Sequence, residues 1–134
     1  MKQITTVKYL IPVQSVSDII TNSSSEVFLC QNTTNMTTEQ LVDFIYEYNR
    51  QHQFEGSWEE WCALSDDERD QYDSSSGTGG MLEVVSYEEG KDDWPRIYFE
   101  GLSNPEQYLM VDTDWNNRAT IDWICDNLNA RCVD

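Results

Sequence analysis

Leu41, Phe44, Ile45 and Tyr48 recur at i, i+3, i+4 and i+7, the spacing of a single buried stripe on an α-helix. Thr37 stands three residues before Gln40, as a capping box requires. Met36 before the cap and Leu41 at the fourth helical position suit a hydrophobic staple. The pattern predicts a helix that runs to about Arg50. Ile121, Ile124, Cys125 and Leu128 repeat the same spacing near the other end and predict a second helix over about Asn117–Asn129, with Arg118 and Asp122 paired at i, i+4 on its outer side.

Other segments have a period of two or short apolar runs. Val7, Tyr9, Ile11 and Val13 alternate with Lys8, Leu10 and Pro12 and predict a strand whose proline marks its end or a sheet edge. Val27–Cys30, Met81–Tyr87, Arg96–Glu100 and Tyr108–Thr113 are rich in β-branched, aromatic and other apolar residues and predict further strands. Turns at Gly90–Asp93 and Gly101–Pro105 separate the last three, so these strands should pair antiparallel. Ser17–Glu26 is a polar stretch whose Asn, Asp and Ser side chains compete for the backbone, which predicts a loop.

Ser57 with Glu60 and Ser65 with Glu68 are two further capping boxes and predict two short helices. Trp58 and Trp61, three apart, should share a face that docks the first of them on the core. Ser74–Gly80 reads as a flexible Ser/Gly link. The fold class expected is α+β: an antiparallel sheet of about four to five strands, covered on one face by an N-terminal-half helix and a C-terminal helix. A short acidic helical insertion with its Ser/Gly loop should span residues 55–80 of a single domain, 1–134.

Charge sharpens this picture. Residues 1–54 hold five acids against three bases, a net of −2, whereas residues 55–134 hold twenty against five, a net of −15, within a total of −17. A field of that sign repels nucleic-acid phosphates and anionic membranes and attracts basic protein surfaces. Within the insertion, Glu55, Glu59, Glu60, Asp66, Asp67, Glu68, Asp70 and Asp73 face only Arg69. They are the expected partner-binding array.

Composition bounds the rest. At 134 residues with 39% apolar content, the chain is long enough for one hydrophobic core. No run of about 18 apolar residues suggests a membrane span, and Met1–Thr6 lacks the apolar core of a signal peptide. The expected compartment is the cytoplasm. Cys30, Cys62, Cys125 and Cys132 are scattered without a CxxC unit, so they are expected to be reduced thiols, three of them in the core, and no metal or other cofactor is expected.

Catalytic chemistry finds few of its parts. His52 is the only histidine and falls at the end of a polar helix, a poor place for the base of a Ser-His-Asp arrangement, and a single histidine excludes multi-histidine metal sites. Asp112-Thr113-Asp114-Trp115-Asn116 matches the start of a calcium loop, but Asn117 stands where that loop turns on glycine and Trp123 where it needs a bidentate glutamate. The expectation there is a strand end from which Asp114 or Asn116 caps the following helix. Glu89-Gly90-Lys91 has the E-x-K spacing of metal nucleases, yet it sits in a turn-like acidic run. The glycines at 77, 79 and 80 are followed by Met81-Leu82-Glu83, not by the Lys and Ser/Thr of a phosphate loop. The chain is therefore not expected to be an enzyme.

Asp18-Ile19-Ile20-Thr21-Asn22-Ser23-Ser24-Ser25-Glu26-Val27-Phe28 resembles a recurring N-terminal signature of small, uncharacterised bacteriophage and prophage proteins. The resemblance implies a phage origin and carries no activity. It marks Ser23, Ser24, Ser25 and Glu26 as a candidate loop site, since connecting loops commonly carry function. The leading expectation is a phage accessory factor that binds a basic surface of a host protein, as a nucleic-acid mimic or inhibitor. The alternatives are a capsid or tail accessory subunit and, last, a carboxylate-metal enzyme.

Overall fold

A computed structural model describes residues 25–78 and 80–133. The strand expected over residues 7–13 lies outside the described residues. Among the described residues four strands form one antiparallel sheet: β1 (Ser25–Gln31), β2 (Leu82–Ser86), β3 (Tyr108–Asp114) and β4 (Arg131–Cys132), in the order β2-β3-β1-β4. Phe28 lies opposite Val111, and Val111 opposite Val84, so one row of apolar side chains crosses the three longer strands.

Side chains alternate between the faces of a strand. One face presents Phe28, Cys30, Val84, Leu109 and Val111 to the helices α1 (Thr38–Gln51) and α5 (Arg118–Asn127). From α1 come Leu41, Val42 and Ile45, and from α5 come Ile121 and Ile124, with Leu128 at its end. Full burial of each such side chain contributes about 1.5–3 kcal/mol. The capping box of Thr37 and Gln40 is formed in both directions. The fold is thus the small α+β class read from the sequence.

The opposite face is covered as well, which the sequence reading did not anticipate. Val27, Leu29, Val85 and Met110 pack there against Phe99, with Tyr87, Tyr98 and Leu102 alongside. The cover is the segment after β2: a short helix α4 (Tyr87–Gly90) and a 3-10 turn over Trp94–Tyr98. The latter replaces the strand expected at Arg96–Glu100. Asp93 accepts the Trp94 N–H at 2.9 Å, and Pro95 at the start has its φ already set for a helical turn. Ser86 and Glu89 form one more capping box, which starts α4 inside what reads as the end of a strand.

The outer edge of β2 is closed by a side chain. The Tyr46 hydroxyl, from α1, accepts the Val84 N–H at 2.8 Å and lies 3.4 Å from the Val84 carbonyl oxygen. An edge strand whose outward groups are already engaged is a poor template for pairing with another chain.

Candidate interaction surface

Two short helices rise from the expected places in the acidic insertion, α2 (Trp58–Ala63) and α3 (Asp66–Arg69), each opened by its Ser capping box. The tryptophans do not act together. Trp61 is 1% exposed and packs against Phe54 at 5.6 Å between ring centroids, and Phe54 in turn meets Tyr72 at 5.5 Å. Trp58 is 48% exposed. In so short a helix the face that carries Trp61 inward leaves Trp58 at the rim, so one ring anchors the insertion and the other is free to touch a partner.

The eight acids of the expected array separate into roles. Glu60 and Glu68 are committed to the Ser57 and Ser65 amides, at 2.8 Å in both cases, and these hydrogen bonds hold both carboxyls below the usual range. Asp66 pairs with Arg69 at 3.1 Å. Asp70 pairs with Arg118 of α5 at 2.9 Å, so Arg118 reaches across to α3 and not to Asp122 as expected. Glu55, Glu59 and Asp67 are exposed and carry no ion pair among the described residues.

Asp73 is no surface acid. It is fully buried and ties three segments together. Its Oδ1 accepts the Thr120 N–H at 2.9 Å, and its Oδ2 accepts the Thr120 hydroxyl and, at 3.0 Å, the Asn49 amide. Asn117 stands at the N-cap of α5 without a capping side-chain bond of its own, and Thr120 is the third residue of the helix. The carboxylate of Asp73 therefore caps α5 from 47 residues away and places negative charge at the positive end of its dipole. The Tyr72 carbonyl takes the next free amide, that of Ala119, at 3.3 Å. Burial pushes the Asp73 carboxyl up, while the Thr120 and Asn49 hydrogen bonds and the charge of His52 pull it back.

Around Asp73 the polar interior continues. The Asn117 amide donates to the Met81 carbonyl at 2.8 Å and to the Thr113 hydroxyl at 3.0 Å, and Asn49 donates to the Asn117 side-chain oxygen at 3.2 Å. Residues 74–80, read as a flexible link, hold a 3-10 turn over Ser76–Thr78, with Ser74 and Thr78 buried. A side chain at Gly80 would begin 2.1 Å from the Ser74 hydroxyl and 2.6 Å from its carbonyl oxygen, so only glycine admits this approach of the two backbones.

The remaining candidates fall elsewhere. Ser23 and Ser24 lie outside the described residues. Ser25 and Glu26 open β1 and are not part of a loop; Glu26 accepts the Cys132 thiol at 3.0 Å. Asp112 and Asp114 belong to β3, in extended backbone, and Asp114 accepts the Asn116 N–H at 2.7 Å in a local turn before α5. Only Cys30 of the cysteines is buried; Cys62, Cys125 and Cys132 are exposed, where three core thiols were expected. Among the described residues no group of three or more His, Cys, Asp or Glu side chains is arranged to hold a metal ion, and no helix is long and apolar enough to cross a membrane. No family model, curated protein or solved structure matches this chain.

Proposed function

We propose that this chain is a non-enzymatic interaction protein whose acidic insertion binds a basic surface of a protein partner. The observation that carries the reading is that the insertion exposes Trp58 together with the uncommitted carboxylates Glu55, Glu59 and Asp67. An exposed aromatic ring among fixed negative charges suits arginine and lysine side chains, which gain both charge pairing and contact with the ring. The insertion has the rigidity such a role needs: two capped helices, the Trp61 anchor, the Arg118–Asp70 pair and the Asp73 latch hold the charges in place. Taken with the resemblance of Asp18–Phe28 to a phage signature, the role is that of a phage accessory factor acting on a host protein in the host cytoplasm, as a nucleic-acid mimic or inhibitor.

The test is capture of partners from bacterial lysate at low and high salt, with wild type and a variant carrying Glu55→Gln, Glu59→Gln and Asp67→Asn. A basic protein should be retained by wild type at low salt, released at high salt, and lost by the variant, mainly through slower association. If the variant retains the same protein equally well, the acids are a solvated surface only, and a structural virion role becomes the better reading.

A further inference from the structure

Four rings meet across α1, its C-cap residue and α5. Phe44 lies 4.9 Å from Trp123 and 6.2 Å from Tyr48, Tyr48 lies 5.8 Å from Trp123, and His52 stacks on Tyr48 at 4.0 Å (all between ring centroids). Phe44 is 37% exposed, and Tyr48, His52 and Trp123 are half-buried. Phe44 and Tyr48 of α1 and His52 at its C-cap follow one another at every fourth residue, beside the stripe of Leu41 and Ile45 that enters the core. Among the described residues nothing covers the exposed part of this contiguous aromatic face, which gives it the character of a contact surface.

The charge around it selects the partner. Burial raises the Tyr48 phenol, and the charges of Asp73, Asp122 and Asp126 add to it, the last two one turn apart on α5 and flanking Trp123. Asp122 is itself raised, first by burial and then by the neighbouring charges of Asp70 and Asp126, with Arg118 opposing. Ring faces carry negative potential and so do these carboxylates. A cation docking here would satisfy both, whereas an apolar side chain would satisfy the rings and leave the carboxylates unpaired. The rings stand too close together to admit a cation between them, because a sandwiched cation within about 6 Å of two faces separates their centroids well beyond the contacts seen here. A cation must therefore approach the cluster from outside, and the planar guanidinium, which stacks on aromatic rings, suits that contact better than the compact ammonium.

We propose that the Phe44–Tyr48–Trp123 face is a docking surface for arginine side chains of the partner protein. The inference rests on the basic-partner reading; its choice of this face stands on the ring cluster with the flanking Asp122 and Asp126, and its choice of arginine on the rings.

The probes are octa-arginine and octa-lysine peptides, titrated at one fixed salt concentration into wild type, into Phe44→Gln and into the triple charge variant of the insertion. The readout is the amide and indole NMR spectrum, with the Trp123 indole peak assigned by its loss in Trp123→Phe. Octa-arginine should move the Trp123 indole peak of wild type in a saturable way and bind about threefold or more tighter than octa-lysine, the size of an exposed cation–π contact. Phe44→Gln should abolish the preference while its melting temperature stays within a few degrees of wild type. The triple variant should weaken both peptides alike and leave the arginine preference in place. Equal binding of the two peptides with an unmoved Trp123 peak overturns this inference and leaves the basic-partner reading intact. Failure of wild type to bind either peptide overturns both.

Discussion

The Asp73 carboxylate and the Thr120 amide, 47 residues apart in the chain, meet at 2.9 Å inside the protein. By that contact the end of the acidic insertion becomes the N-terminal cap of the last helix. Asn49 completes the junction from α1 at 3.0 Å, and the Asp73 backbone adds two more bonds, its N–H donating to the His52 carbonyl at 2.8 Å and its carbonyl accepting the Phe54 N–H at 2.7 Å. Asp73 thus joins the C-terminal end of α1, the insertion and the start of α5.

Replacing Asp73 by Ala should therefore destabilise the protein by about 2–4 kcal/mol. Loss of a helix cap costs about 1 kcal/mol, and each buried donor left without a partner, here the Thr120 N–H and the Asn49 amide, adds about 1–3 kcal/mol unless it relaxes toward another acceptor. Asn49 has such acceptors in Asn117 and Thr120, which keeps the total at the lower end. Asp73→Asn retains an oxygen for the Thr120 N–H and should cost far less, or stabilise at neutral pH. Urea unfolding of the two variants measures the difference; equal losses would show that charge, not cap geometry, is what matters at this position.

The pH dependence follows from the direction of the Asp73 shift. Its folded-state carboxyl is raised above the usual 3.8, chiefly by burial. The native state therefore binds this proton more tightly than the unfolded state, and the ionised group costs stability at neutral pH. That cost should shrink as pH falls through the raised folded value and vanish below the ordinary aspartate range. Relief of the chain's overall −17 charge acts in the same direction, so the informative quantity is the stability of wild type minus that of Asp73→Asn, measured at pH 7 and pH 5. The difference should move in favour of wild type at the lower pH.

How far the sequence speaks depends on the range of the interaction. Capping boxes are local, with both partners three residues apart, and those at Thr37, Ser57 and Ser65 are legible and formed. The box at Ser86 and Glu89 carries the same signal but lies behind the apolar run Leu82–Val85, so the strand pattern hides it. Asp73 looks like seven other acids of its segment because nothing near it in sequence distinguishes it; its partners Asn49 and Thr120 lie 24 and 47 residues away. Cys125 occupies an apolar position of a sound helical stripe and is nevertheless exposed, since the periodicity gives a face and not the width of what covers it. The aromatic face joins Phe44 and Tyr48 of α1 to Trp123 of α5, at the other end of the described chain, a pairing that neither helix announces alone.

The cysteines should react in a fixed order. Cys62 and Cys125 are exposed and Cys30 is buried. Burial raises the Cys125 thiol, with the charges of Asp122 and Asp126 adding to it, and burial raises Cys30 far more. Because the thiolate is the nucleophile, a maleimide at neutral pH should label Cys62 first, Cys125 more slowly, and Cys30 only on unfolding. Peptide mass mapping against time reads the order. Early labelling of Cys30 in native protein would contradict its place between the sheet and the helices.

The two tryptophans of α2 offer the sharpest separation of stability from binding. Trp61 is 1% exposed and packs on Phe54, so Trp61→Ala opens a large cavity beneath the insertion and should cost about 3–5 kcal/mol. Trp58 is 48% exposed, so Trp58→Ala should change stability by no more than about 0.5 kcal/mol. If the insertion is the contact surface, the binding effects run the other way for the exposed ring. Trp58→Ala should remain fully folded and lose at least about 1 kcal/mol of partner affinity, roughly a fivefold rise in Kd, as truncation of an aromatic contact residue does. Urea unfolding and a titration with the captured partner, run on the same two samples, give both numbers. A Trp58→Ala protein with wild-type stability and wild-type affinity would remove the insertion's aromatic ring from the interface and leave only its charges to account for binding.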